Sequence, residues 1–196
     1  MRNLSRAAWL IAIMIAAGAC EAPFMKAAPE GGAAQAADAN QATIIFMRPS
    51  LLGTAERAAV FDVTSPENKF VGIVWTRTKV AYRTAPGKSM FMLVGETADF
   101  LQADLEAGKT YYAQVTLKLS FSKNKIGFSA VDYNELDTEE FEDGEALCEL
   151  VENTPEAFAW ARENMADVKK KRAEYLPKWH KKPAVDKAVL NPEDGM

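Results

Sequence analysis

Residues able to do chemistry are few in this chain of 196, and they are unevenly placed. There is one His, His180, and there are two Cys, Cys20 and Cys148. A Ser-His-Asp or Cys-His nucleophile needs an imidazole held by a third group, whereas His180 stands alone in a basic stretch between Pro177 and Pro183. The chain has no G-x-S-x-G turn, no phosphate loop and no His/Cys cluster at metal-ligand spacing. Carboxylates are abundant, 27 against 23 Lys and Arg, so an acid/base pair is available by residue type. They crowd into one run, however, while two opposed carboxylates normally come from separate elements around a cleft. Within that run Asp137, Glu139, Glu140, Glu142, Asp143 and Glu145 offer hard ligands for calcium. Phe141 nevertheless falls where the third EF-hand ligand belongs, and Gly144 comes two places late. No catalytic residue, no metal site and no cofactor is expected.

The remaining candidate is the thiol of Cys20. Met1 to Arg6 carries Arg2 and Arg6 and no acid, and Ala7 to Ala17 follows as eleven apolar residues. This is the pattern of a secretory signal covering residues 1–19, too short to span a bilayer. Ala17-Gly18-Ala19-Cys20 then gives small residues that fit a peptidase cleft, with Cys20 directly after the cut at Ala19. The motif resembles the lipobox of bacterial lipoproteins, with Ala17 where Leu is usual. The resemblance implies that Cys20 takes a diacylglycerol, that cleavage precedes it, and that the protein faces the periplasm or cell surface on a membrane anchor. Ala-Gly-Ala is also the A-x-A signal of ordinary secretion, which would leave a plainly secreted periplasmic protein.

Processing changes the arithmetic. The full chain has a formal charge of −4; without Arg2 and Arg6 it is −6. Acylation of Cys20 leaves Cys148 as the only thiol, so no internal disulfide is available and the fold must rest on packing. Cys148 reads as a small apolar core residue. With 48% hydrophobic and 26% charged residues the chain can build a core and is not wholly disordered.

The elements that must carry these groups follow in order. Residues 20–41 comprise Cys20 and an Ala-rich stretch with Pro29 and Gly31-Gly32, expected to be a flexible tether between lipid and domain. Residues 42–133 are expected to form the domain, through β-type runs at Thr43–Arg48, Ala58–Val63, Phe70–Trp75, Lys79–Arg83, Ser89–Val94, Thr110–Leu119 and Ile126–Val131. Seven strands separated by turns, with no helix between them, read as a mainly β fold. The expected architecture is an antiparallel β-sandwich with a C-terminal helical appendage, α+β overall. Four features carry a further resemblance: Ile44-Ile45-Phe46-Met47-Arg48-Pro49, Phe70-Val71-Gly72-Ile73, Ala85-Pro86-Gly87-Lys88 and Ala107-Gly108-Lys109-Thr110-Tyr111-Tyr112. In order and spacing they resemble small bacterial lipoprotein domains of unknown function with a PEGA-like sandwich pattern. That family implies an exported, often lipidated sandwich and supplies no catalytic residues. Gly87 and Gly108 are expected to take positive φ where hairpins begin.

The last third is divided by charge. Asp132 to Glu156 holds eleven acids and no Lys or Arg, whereas Lys169 to Lys187 holds eight basic and two acidic residues. Residues 134–176 are expected to be an acidic arm and helix, with Phe141, Leu147 and Val151 facing the core. Thr154 is expected to cap a helix with Pro155 at its first position, carrying Phe158, Ala161, Met165 and Val168 on one docking stripe and ending by Pro177. Residues 177–196 are expected to be a basic flexible tail. Trp160 falls opposite the stripe, either covered by the acidic arm or exposed. Trp160, Lys169, Lys170, Lys171, Arg172 and Trp179 form the candidate interaction surface. Its expected partners are anionic lipid headgroups, cell wall or an envelope protein complex, alongside a plainly solvated helix end. Nucleic acid fits the charge but not the compartment. The function expected is a lipid-anchored binding or assembly module of the cell envelope, with an envelope-polymer hydrolase using paired carboxylates as the alternative.

Overall fold

The structure, a computed structural model, describes residues 24–29, 39–50, 57–118 and 125–196. The apolar and alternating runs become strands in turn: β1 (Met25–Ala27), β2 (Ala42–Arg48), β3 (Ala58–Asp62), β4 (Lys69–Val74), β5 (Thr78–Thr84), β6 (Gly87–Val94), β7 (Ala98–Leu105), β8 (Thr110–Lys118) and β9 (Lys125–Ala130). The last third adds α1 (Glu139–Ala146), β10 (Glu149–Asn153), α2 (Pro155–Glu163), α3 (Met165–His180) and β11 (Ala188–Leu190). One sheet has the order β1-β10-β5-β2-β8-β9 and the other β11-β7-β6-β3-β4. They pack face to face, with Phe46 of β2 set edge-on to Phe91 of β6 at 5.2 Å. The molecule is thus the expected β-sandwich with a helical C-terminal part. Both sheets are mixed rather than antiparallel as expected: β10–β5, β2–β8 and β11–β7 pair in parallel, because their partners come from distant parts of the chain and not from hairpins.

Strand β2 explains much of the layering. All seven of its residues are buried, which only a central strand covered on both faces allows. Ala42, Ile44 and Phe46 join the core between the sheets. Met47 instead points to the outer face, into a second cluster with Val131, Leu136, Phe141 and Cys148. The acidic arm therefore covers the sheet, with Phe141 edge-on to Tyr112 at 5.0 Å and Glu145 paired with Lys79 of β5. Thr138 caps α1 by accepting from the Phe141 N–H. Of the three residues expected to face inward, Phe141 does so from a helix. Val151 does so from β10 and not from a helix, and Leu147 is exposed.

Gly87 and Gly108 take the expected positive φ, +107° and +79°, each where the chain crosses from one sheet to the other, β5 to β6 and β7 to β8. Thr154 caps α2 and Pro155 opens it. Three boundaries differ. β1, three residues of the expected tether, pairs with β10 of the expected acidic arm, so these two short segments belong to one sheet. The helix breaks at Asn164, whose side-chain amide donates to the Trp160 carbonyl at 2.8 Å, and then runs on through Pro177 to His180. The missing N–H of Pro177 disfavours that continuation. Trp179 offsets it, being almost fully buried on the next turn and 6.1 Å from Phe100. Nor is the end of the chain a loose tail. Ala188 and Leu190 are buried in β11, which pairs with β7. Met196 exchanges main-chain hydrogen bonds with Thr110.

Candidate functional site

The candidate surface on α3 separates by helical period. Residues three or four apart share a face, so Val168, Lys171, Arg172, Tyr175 and Trp179 turn toward the sandwich. Val168 and Trp179 are buried. Lys171 donates to the Gly95 carbonyl at 2.7 Å and pairs with Asp167 at 3.0 Å. Arg172 clamps the β3–β4 turn: its guanidinium donates to the carbonyls of Val63 at 2.7 Å and Ser65 at 3.0 Å, and to the Asn68 side chain. Lys171, Arg172 and Trp179 are therefore fixings of the helix rather than an outward contact surface. Of the four consecutive cations Lys169 to Arg172, Lys169 and Lys170 face water, and on the same helix the exposed Glu174 and Lys178 pair with each other. That hydrogen bond holds the Glu174 carboxyl below its usual value and the Lys178 ammonium above.

Trp160 is neither under the acidic arm nor freely exposed. It lies against Phe24 at 6.1 Å and Phe70 at 6.2 Å. The Arg57 guanidinium sits over the Phe24 and Trp160 rings at 4.8 and 5.1 Å, a cation–π geometry. Ala19 and Cys20, with the rest of the signal, lie outside the described residues. Cys148 is buried, and that burial pushes its thiol above the ordinary range, which makes it a poor nucleophile.

A site the sequence reading missed lies beside β9, the outer strand of its sheet. An open groove of about 690 Å³ runs between β8–β9 and the segment that leads into β11. Thr116 and Ser129 line one wall; Lys182, Asp186 and Lys187 line the other, with Asp132 at the end of β9. Asp99 of β7 is bonded to two of the lining residues, Phe128 and Lys182. This largely buried carboxylate accepts from the Phe128 N–H at 3.1 Å and from Lys182 at 2.8 Å. It thereby satisfies a strand-edge donor and ties the two sheets together. Lys187 is likewise held, over the Trp179 ring and on the His180 carbonyl at 3.0 Å. Chemically the groove offers hydroxyls, two solvated carboxylates and two tethered ammonium groups along the outer strand of a sheet, a surface suited to an extended polar chain. Among the described residues no group of three or more His, Cys, Asp or Glu is placed to hold a metal ion, and no helix is long and apolar enough to cross a membrane. The chain matches no protein-family model, and no curated protein matches it.

Proposed function

We propose that the protein is a lipid-anchored module of the bacterial cell envelope, attached through Cys20, which acts by binding or assembly and not by catalysis. The observation that supports this most is the employment of the charged side chains. Asp99, Glu145, Lys171, Arg172 and Lys182 each complete a contact that holds the fold. The groove beside β9 is left as a polar surface for an envelope polymer or a partner protein. The anchor rests on Ala17-Gly18-Ala19-Cys20, and a two-sheet sandwich is the fold that the resemblance to PEGA-like domains implies.

The test is crosslinking in intact cells followed by pull-down and fractionation. The wild-type chain recovers a polymer or protein partner from the membrane fraction, and Cys20→Ala moves the chain to the soluble fraction. A Cys20→Ala chain that stays in the membrane ends the lipid reading. A wild-type chain already in the soluble fraction makes it a plainly secreted protein, and crosslinks to nothing end the binding reading. A hydrolase is the second reading, favoured because Asp132 and Asp186 reach one groove from separate elements. It requires that the wild-type chain release soluble fragments from purified cell wall and that Asp132→Asn or Asp186→Asn abolish the release.

A further inference from the structure

Within the run Glu21–Gln41, whose composition suggests a tether, Phe24 already belongs to the fold. Its carbonyl accepts from the N–H and the hydroxyl of Thr154, each at 3.1 Å, and the next residue, Met25, pairs with Asn153. Only Glu21, Ala22 and Pro23 separate Cys20 from Phe24. Four residue steps span at most about 14 Å when fully extended. Whatever holds Cys20 therefore lies within that distance of the end of the sandwich where Phe24 sits.

That end has a distinct chemistry. Phe24, Phe70 and Trp160 form one aromatic group with Arg57 across it. Phe158 extends the group outward, edge-on to Phe70 at 5.9 Å, and is 44% exposed. One turn further along the same face of α2 is Arg162, also exposed. Aromatic rings with long cationic side chains match the region between lipid tails and water, where ring bodies are apolar and guanidinium groups reach phosphates. Glu156 and Glu163 on the same helix are exposed, so the attraction comes from the rings and not from net charge.

We infer that the end formed by Phe158, Trp160, Phe70 and Arg57 rests in the headgroup layer of the membrane that holds Cys20. This rests on the reading of Cys20 as the acylated residue. It fixes the orientation of the molecule: β1 and β9 are opposite edges of one six-stranded sheet, about 24 Å apart at the usual strand spacing. The groove beside β9 is then presented away from the bilayer.

The experiment uses the processed, full-length chain reconstituted in phosphatidylethanolamine–phosphatidylglycerol vesicles, with Cys148 replaced by Ala. A single Cys is placed at Phe158→Cys, at Arg162→Cys or, beside the groove, at Val185→Cys, and each carries an environment-sensitive fluorophore. Brominated lipid quenches the labels at 158 and 162 and leaves that at 185 unchanged. Equal quenching at all three positions, or quenching at 185 alone, overturns the orientation. The mass of each purified protein separates the two readings. A chain that bears acyl groups but shows no quenching at 158 and 162 refutes the orientation and leaves the anchor standing. A chain without acyl groups refutes the anchor, and the orientation with it.

Discussion

Two three-residue strands close the sandwich at its margins, one from each part of the chain: β1 on the first sheet and β11 on the second. Their backbone pairing is alike in extent, but their side chains differ. β11 buries Ala188 and Leu190, and beyond it Asp194 and Gly195 are buried where Tyr111 donates to the Pro192 carbonyl at 3.2 Å. β1 buries Met25 alone and leaves Lys26 and Ala27 exposed. The C-terminal strand is thus part of the core, and the N-terminal strand is a strap laid on its edge. Short edge strands are held by the side chains beneath them more than by their hydrogen bonds, which water can replace.

The largest effect that separates the two is truncation. Removing residues 188–196 is expected to abolish cooperative thermal unfolding, whereas a chain beginning at Glu30 keeps it at a lower Tm. Equal outcomes in calorimetry would erase the distinction. Next, Leu190→Ala should cost about 2–5 kcal/mol, as a cavity in a core that cannot collapse. Met25→Ala should cost only about 1 kcal/mol, because β1 can detach locally before the rest unfolds. Amide exchange checks this: Met25→Ala lowers protection in β1 and β10 alone. Asp99→Ala, which leaves the buried Phe128 N–H without this acceptor and takes the counter-charge from Lys182, is expected to cost about 1–3 kcal/mol in denaturant unfolding.

The smallest effect concerns Tyr82, whose hydroxyl donates to Asp62 at 2.9 Å. Burial, reinforced by the Asp62 charge, raises its pKa above the ordinary 10.0. Below that value folded and unfolded chains both keep the proton, and the contact contributes fully. As pH rises past about 10 the unfolded chain loses its proton first, so stability declines toward the raised folded value. Tyr82→Phe should cost about 1 kcal/mol at neutral pH and flatten part of the alkaline decline. An unchanged slope would assign that decline to the other raised groups, Tyr111, Tyr112, Cys148, Lys109 and Lys178.

The same contrast marks what the sequence revealed. β2 to β6, β8 and β9 were legible because apolar runs or a period of two were long enough to register. β7 was missed: its core faces are interrupted by Asp99, Gln102 and Asp104, and the reason for a buried acid, the edge of β9, lies 29 residues away. β1, β10 and β11 were hidden inside an Ala-rich, an acidic and a basic stretch, since edge pairing uses the backbone and leaves little mark on composition. The charge runs were visible, but their use was not. Lys171 and Arg172 differ from Lys169 and Lys170 only in helical phase, which a count of cations does not see. The groove arises where β9 meets a C-terminal segment more than 50 residues later, and no local motif announces it.

The pairing of distant segments also dictates the order in which the chain can fold. β2 lies between β5 and β8, its parallel partner 67 residues on, as in Ile44 opposite Tyr111. Met25 waits for Asn153, and Thr110 for Met196. During synthesis the hairpins β3–β4 and β6–β7 can form as they emerge, but the first sheet lacks β10 until Asn153 is out, and the second lacks β11 until Leu190 is out. The chain should consequently fold slowly and late, as sheets dominated by non-local contacts do. While incomplete it presents first the bare side of β5 and then that of β7, so a nascent chain is vulnerable to aggregation and readable by chaperones until β11 has paired.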